Sequence, residues 1–231
     1  MLIPFDDIDK LSARRLADLE RAWRSVLLHP RSCPDVIDDR NRQPRSTGTR
    51  SLPEALPDLL ILSGASRSGK DYLAGVLAEE YAGIRIHAYS SPLINEVNAA
   101  LRWHGLRITE GNKSLAHNRH LLQAWGLARR ELDPEYWLEH LRGLLRRSYS
   151  SPEIRLVVLS GARTHSDLRL ATEYPATIWR IRREDNDYIS GHEIETMAAS
   201  LPADKVVTLP KIDRAVAKRT LEQLLGHYRS N

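Results

Sequence analysis

The segment Gly64-Ala65-Ser66-Arg67-Ser68-Gly69-Lys70 sets two glycines five positions apart, with a lysine directly after the second. Glycine lets a backbone turn tightly enough to aim successive N–H groups at one anion, and the lysine supplies a cation that reaches the outer phosphates of a nucleotide. The chemistry of such a loop is phosphate binding. It needs a strand before it and a helix after it, and the sequence offers both: the apolar run Leu59-Leu60-Ile61-Leu62 and the helix-like stretch from Asp71 to Tyr81. Gly64, Ala65, Ser66, Arg67, Ser68, Gly69, Lys70 and Asp71 are therefore the expected contacts to a nucleoside triphosphate, with the positive end of the helix behind them.

A loop of this kind sits at the edge of a sheet, and the rest of the chain supplies one. Ile84-Arg85-Ile86-His87-Ala88-Tyr89 alternates as a strand does, and Ile154-Arg155-Leu156-Val157-Val158-Leu159 reads as a buried strand. Two more strands are expected at Ala176–Ile181 and Lys205–Leu209. Helices are expected from Ser91-Pro92 to about Trp103, over Leu121–Leu132, over Glu135–Arg147, from about His192, and over Asp213–Tyr228. Strands alternating with helices predict an α/β fold, a three-layer sandwich with a mostly parallel central sheet. Ahead of it, Ile8, Leu11, Leu16, Leu19, Trp23, Val26 and Leu27 recur at three- and four-residue spacings and predict one amphipathic helix. Pro30 to Pro57 is rich in Pro, Arg, Ser, Asp and Thr and reads as a flexible linker. The expected organisation is a helix in residues 1–29, a linker in 30–57 and a nucleotide domain over 58–231 that stands without the first two.

Composition bounds the partners. With 231 residues, 42% of them hydrophobic, the chain can bury one full core. Net charge is +4, from 34 basic against 30 acidic residues without a long single-sign block, which suits small anionic ligands and disfavours nucleic acid as a partner. The lone Cys33 excludes an internal disulfide and a cysteine-rich zinc site, and a reducing cytoplasm is the expected compartment. No apolar run approaches the ~20 residues of a membrane span, so no membrane association is expected. The oligomeric state stays open, with a homodimer as one option.

Five pieces of the chain together resemble the deoxynucleoside monophosphate kinases of bacteriophages and bacteria, a branch of the P-loop kinases. They are Ser63-Gly64-Ala65-Ser66-Arg67-Ser68-Gly69-Lys70-Asp71; His87-Ala88-Tyr89-Ser90-Ser91-Pro92-Leu93; Leu121-Leu122-Gln123-Ala124-Trp125-Gly126 with Arg130 and Asp133-Pro134-Glu135-Tyr136-Trp137; Val157-Val158-Leu159-Ser160-Gly161-Ala162-Arg163; and His192-Glu193-Ile194-Glu195. The resemblance spans about Leu59 to Leu225 and implies a P-loop kinase-like sandwich that transfers the γ-phosphoryl group of ATP, with Mg²⁺, to a (deoxy)nucleoside monophosphate. An ionised phosphate acceptor needs positioning and positive charge more than a general base. The resemblance therefore implies catalytic roles for Lys70, Arg130 and Arg163, with Arg163 at the carboxyl edge of the sheet, where open α/β folds bind ligands. It implies substrate contacts from Gln123, Trp125, Arg130 and Arg163, ATP contact from Arg182 among Arg180, Arg182 and Arg183 at the entry to a lid, and Mg²⁺ binding at Asp71.

Three departures stand against that pattern. Tyr72 replaces a threonine, Gly126-Leu127-Ala128 replaces Gly-Thr-Glu, and Gly161-Ala162-Arg163 replaces Asp-Val-Arg, which removes a second acidic residue. They leave open an alternative, a nucleotide-binding P-loop protein with weak or no turnover, serving as a pseudokinase, a regulator or a nucleic-acid interaction module. His192 with Glu195 has helical spacing for a metal pair, but two ligands make no site. His165-Ser166-Asp167 carries triad residue types in adjacent positions, a geometry that reads as a turn and cap.

Overall fold

The computed structural model describes residues 11–28, 48–109, 112–113, 115–184, 197–198 and 200–228. In chain order its elements are α1 (Ala13–Leu28), β1 (Leu59–Ser63), α2 (Lys70–Glu80), β2 (Ile84–Ala88), α3 (Ser91–Leu101), α4 (Ala116–Leu132), α5 (Tyr136–Tyr149), β3 (Leu156–Ala162), α6 (Leu170–Glu173), β4 (Ala176–Arg183), β5 (Lys205–Leu209) and α7 (Arg214–Gly226). The chain divides into two compact units, one drawn from Met1–Asn41 and Ser90–Leu141, the other from Arg42–Tyr89 and Arg142–Asn231.

The second unit holds the sheet. Among the described residues the four strand pairings are all parallel, in the order β2-β3-β1-β4-β5, so β1 is central, with β3 and β4 as its neighbours. Each parallel step needs a crossover, which explains why strands and helices alternate along the sequence. One face of the sheet packs Leu60, Leu62, Val158, Trp179, Ile181 and Val207 against Leu73 and Leu77 of α2 and Leu221 and Leu225 of α7. The opposite side chains of the central strands, Leu59, Ile61, Val157 and Leu159, are fully buried as well. Burial on both faces is why β1 and β3 read as continuous apolar runs without alternation.

The unit starts earlier than Asp58. Gly48 N–H donates to Ala78 O, Arg50 N–H to Glu80 O and Ala82 N–H to Arg50 O, which seats residues 48–50 against the end of α2 in a parallel bridge to Tyr81. A Cβ on Gly48 would stand 2.1 Å from the Tyr81 nitrogen, so only glycine passes there. Leu56 is buried in the core and Leu52 packs on it. The described end of the expected linker is thus part of the fold, because its few apolar residues have a core to join. The rest of that linker, residues 30–47, lies outside the described residues.

The first unit is helical, and α1 is an integral layer of it rather than a separate appendage. Ala22 is fully buried, and the Trp23 ring lies 5.9 Å from that of Trp125 on α4 and 5.8 Å from that of His104. At the rim Arg15 pairs with Glu131 at 3.2 Å, and His120 meets Asp18 at 3.0 Å. The core of this unit gathers Val97, Leu101, Leu121, Ala124, Trp125 and Trp137. Helix α4 begins five residues before the expected Leu121 because asparagines organise the polar stretch ahead of it. The Asn112 side chain accepts from Thr109 N–H and donates to Arg107 O, while Asn118 donates to Asn112 O. Among the described residues, no helix is long and apolar enough to cross a membrane.

Candidate phosphate-binding site

Strand β1 ends at Ser63 between two parallel neighbours, and the loop leaves the sheet from its carboxyl edge at the strand where the order changes direction. That crevice is where open parallel sheets hold ligands. The path of the loop depends on three left-handed residues: Gly64 with φ 133°, Arg67 with φ 63° and Gly69 with φ 91°. Gly64 passes so close to β4 that a Cβ would lie 2.3 Å from Ile181 O. Arg67 is the one non-glycine residue with positive φ among those described, a conformation that costs of order 1 kcal/mol and persists only where its surroundings demand it. Its carbonyl accepts from Arg183 Nη1 at 3.3 Å, which ties the loop tip to the end of β4. Gly69 is the N-cap of α2, and its carbonyl accepts from Leu73 N–H at 2.9 Å, so the helix starts directly behind the loop.

The interior of the loop is polar and buried. The Ser63 and Ser68 hydroxyls are both enclosed and have no hydrogen-bond partner among the described residues. Ser68 Oγ lies 3.1 Å from where a Gly64 side chain would begin, which puts it inside the turn. Buried hydroxyls normally find partners, so these two stand out, one at the end of β1 and one inside the loop. Lys70 is 5% exposed and folds back to donate from Nζ to Ala65 O at 3.4 Å, a long bond that a better acceptor would displace. Asp71, in the first turn of α2 and exposed, accepts a short hydrogen bond from Ser160 Oγ on β3.

Arginines cluster at the same carboxyl edge. Arg163 follows β3 in a turn held by Asp167, whose carboxylate accepts from the N–H groups of Arg163 and Thr164 at 2.8 and 3.0 Å. Tyr89 O–H donates to Asp167 O at 2.8 Å and anchors that turn to the end of β2. His165-Ser166-Asp167 is therefore the expected turn, and its aspartate caps backward. Arg180 Nη1 donates to Leu201 O at 2.9 Å while its buried Nε has no partner among the described residues, and Arg182 is exposed at the end of β4. The pair His192 and Glu195, the helix expected from His192 and most of the charged loop after Arg183 lie outside the described residues.

The candidate acceptor residues belong to the helical unit. Gln123 and Arg130 are half-buried on α4. Trp125 is 2% exposed and its indole N–H donates to Glu96 Oε1 at 2.8 Å, so this ring is a core residue and does not offer a face for stacking a base. The residue that sequence reasoning passed over is Glu96 on α3. Its carboxylate also takes Arg129 at 2.6 Å and the Tyr136 hydroxyl at 2.7 Å, and the Arg129 guanidinium lies 4.7 Å from the centre of the Tyr136 ring. Burial, then the bond to Glu96, push the Tyr136 hydroxyl up to about 12. Glu96, Trp125, Arg129 and Tyr136 come from three different helices, so their convergence on one carboxylate is a matter of packing that the sequence does not announce. Ser160 was likewise hidden, since a serine in an apolar strand carries no signal by itself.

Among the described residues, no group of three or more His, Cys, Asp or Glu side chains converges to hold a metal ion. Asp71 is the carboxylate beside the loop. No family model matches the chain, and no curated protein matches it.

Proposed function

We propose that the chain is a P-loop kinase-like phosphotransferase that binds ATP with Mg²⁺ at Gly64–Asp71 and moves the γ-phosphoryl group to a (deoxy)nucleoside monophosphate. The observation that carries this reading is the loop with the strand end before it: left-handed glycines, the Ser63 and Ser68 hydroxyls, enclosed and without partners among the described residues, and Lys70, at the carboxyl end of the central strand with a helix N-terminus behind. These groups suit a polyphosphate, since backbone N–H groups and the Ser68 hydroxyl donate to non-bridging oxygens and Lys70 neutralises charge between the outer phosphates. Asp71 would hold the metal ion, which supplies positive charge where the transferring group gains negative charge.

The parallel sheet with β1 between β3 and β4 supports the P-loop kinase-like arrangement. In the transfer the bond from the γ-phosphorus to the β–γ bridging oxygen breaks, an oxygen of the acceptor monophosphate bonds to the same phosphorus, and ADP leaves. Arg163 and Arg182 are the cations at this edge proposed to stabilise that charge, and Arg130 is the proposed ligand of the acceptor phosphate.

A second reading is supported by Gly161, which brings no carboxylate to the end of β3, and by Leu127 and Ala128, apolar where polar acceptor contacts are expected. On that reading the chain binds ATP without transferring phosphate. Incubation with ATP, Mg²⁺ and each common ribo- and deoxyribonucleoside monophosphate, followed by measurement of ADP, separates the two. Release of ADP above the monophosphate-free background with at least one acceptor supports the kinase. ATP binding without release for any of them supports the second reading.

A further inference from the structure

Two polar side chains face each other across the phosphate loop: Ser160 Oγ, on the last regular pair of β3, donates to Asp71 Oδ1 at the start of α2. Phosphate loops of the general pattern put a Ser or Thr after the lysine to reach Mg²⁺ and an acidic residue at a neighbouring strand end to hold the ion from the other side. Here the carboxylate stands after the lysine and the hydroxyl on the strand. We infer that Ser160 and Asp71 are a metal-positioning pair with the two residue types exchanged, Ser160 orienting the Asp71 carboxylate for a divalent cation carried by the nucleotide. The inference rests on the proposed ATP site.

Three features favour this over an incidental surface bond. Ser160 is 3% exposed, and its carbonyl accepts Tyr89 N–H at 2.9 Å, so the hydroxyl is held by backbone bonded on both sides. Asp71, second residue of α2, bonds across to β3 and so ties the start of the helix to that strand. The register slips immediately after Ser160: Leu62 pairs with Ser160 but Ser63 pairs with Ala162, so Gly161 is the extra residue of a bulge, with φ 95°. Bulges re-aim side chains at sheet ends. Here the bulge leaves Ser160 as the last side chain directed from the regular strand toward α2, while Gly161 lies over Lys70.

The electrostatics agree. A carboxylate offers about four lone-pair positions, and one hydroxyl occupies one of them. Oδ2 stays available to an ion or its bound water, and the hydroxyl fixes the rotamer before the ligand arrives, so less conformational freedom is lost on binding. In the same loop, the enclosed Ser68 hydroxyl, without a partner among the described residues, points to a polar ligand. Ser160 is accordingly a positioning residue that acts through Asp71.

Calorimetric titration of ATP in Mg²⁺ and again in EDTA tests the pair, because the ratio of the two affinities reads the metal contribution without turnover. Wild type should bind more tightly with Mg²⁺. Ser160→Ala should reduce that gain roughly five- to tenfold while leaving the affinity in EDTA unchanged, less than the full worth of a hydrogen bond to a charged group because the Asp71 carboxylate itself stays in place. Ser160→Thr should keep the gain, and Ser160→Ala with Asp71→Asn should lose no more than Asp71→Asn alone. A Mg²⁺ gain unaltered by Ser160→Ala, or unaltered by the exposed Asp71→Asn where the alanine variant melts early, overturns the inference and leaves the ATP site standing. ATP binding that is equal in Mg²⁺ and EDTA for wild type does the same. Absence of ATP binding by wild type in both buffers overturns the proposed function, and the pair falls with it.

Discussion

Gly64 and Ile181 approach so closely that a side chain on the glycine would begin 2.3 Å from the Ile181 carbonyl oxygen. This contact brings the loop from β1 under the edge of β4, and it explains the glycine at this position better than turn flexibility does. Gly64→Ala should therefore destabilise the fold by at least about 2 kcal/mol, from the clash together with a φ of 133° that alanine resists. Thermal melting reads the loss, and ATP affinity should fall with it. A variant with wild-type melting temperature would show that the β1 and β4 edges part easily here.

Lys70 is 5% exposed, with Nζ donating to Ala65 O at 3.4 Å, so truncating it to alanine would remove buried stem contacts as well as the cation. Lys70→Met, which keeps most of the buried stem, should hold the melting temperature near that of wild type and weaken ATP by roughly ten- to a hundredfold, the range of a charge-assisted hydrogen bond to phosphate. Equal ATP affinity for the two proteins in calorimetry would remove the loop from the binding site.

Helix α1 covers buried residues of its own unit, with Ala22 fully enclosed and Trp23 against Trp125. Deleting residues 1–28 should uncover part of that core, so the truncated chain should bind a hydrophobic dye and lose a cooperative helical transition in circular dichroism. A truncated chain that melts like the full one would mean that α1 is as separable as the linker composition suggests.

The strands and helices were legible because their periods are set by burial: β1 and β3 open on the apolar runs Leu59–Leu62 and Leu156–Leu159 because both faces are covered, and α7 opens on Asp213, whose carboxylate accepts from Ala215 and Val216 N–H. The loop was legible because glycine and lysine carry their chemistry at fixed spacing. Three things were not. The segment 48–57 looks like a linker by composition, yet backbone hydrogen bonds to the end of α2, which no side chain announces, seat it on the fold. Trp125 sits in a motif associated with substrate, but its role follows from Glu96, distant in sequence. Ser160 has meaning only through Asp71, and the bulge that aims it is a matter of register, invisible until two strands are paired.

His87, buried on β2 with Nε2 against Ser148 Oγ at 2.9 Å, is held down at about 4, mainly by burial and then by the charges of Arg85 and Arg147. A histidine whose folded value lies below its unfolded one stays neutral in the native state while the unfolded chain takes up the proton. Stability should therefore fall as pH drops from about 6.5 to about 4 and level off below, by about 1–3 kcal/mol in all. Carboxylates titrate at the lower end of this window, so the difference in melting temperature between wild type and His87→Gln across the pH series isolates the term. A difference that does not change between pH 7 and pH 4.5 would assign the acid sensitivity elsewhere.

Gly161→Asp puts back the carboxylate that the kinase pattern carries at this strand end, and on sequence grounds it should raise the activity of a weakened kinase. The backbone argues the reverse. Gly161 has φ 95° and is the extra residue of a bulge, so any side chain there is strained by about 1–3 kcal/mol, and that chain would start 3.8 Å from Lys70 Cε, a normal contact distance. A new carboxylate would compete with phosphate for the Lys70 ammonium instead of joining Asp71 around a metal ion. Gly161→Asp should thus melt several degrees below wild type, bind ATP more weakly and show no gain in ADP release. Gly161→Ala separates the two causes, since it should share the loss in melting temperature while keeping ATP affinity. Wild-type melting together with faster ADP release in Gly161→Asp would show that the bulge relaxes to admit the acid and that this chain lacks only that one group.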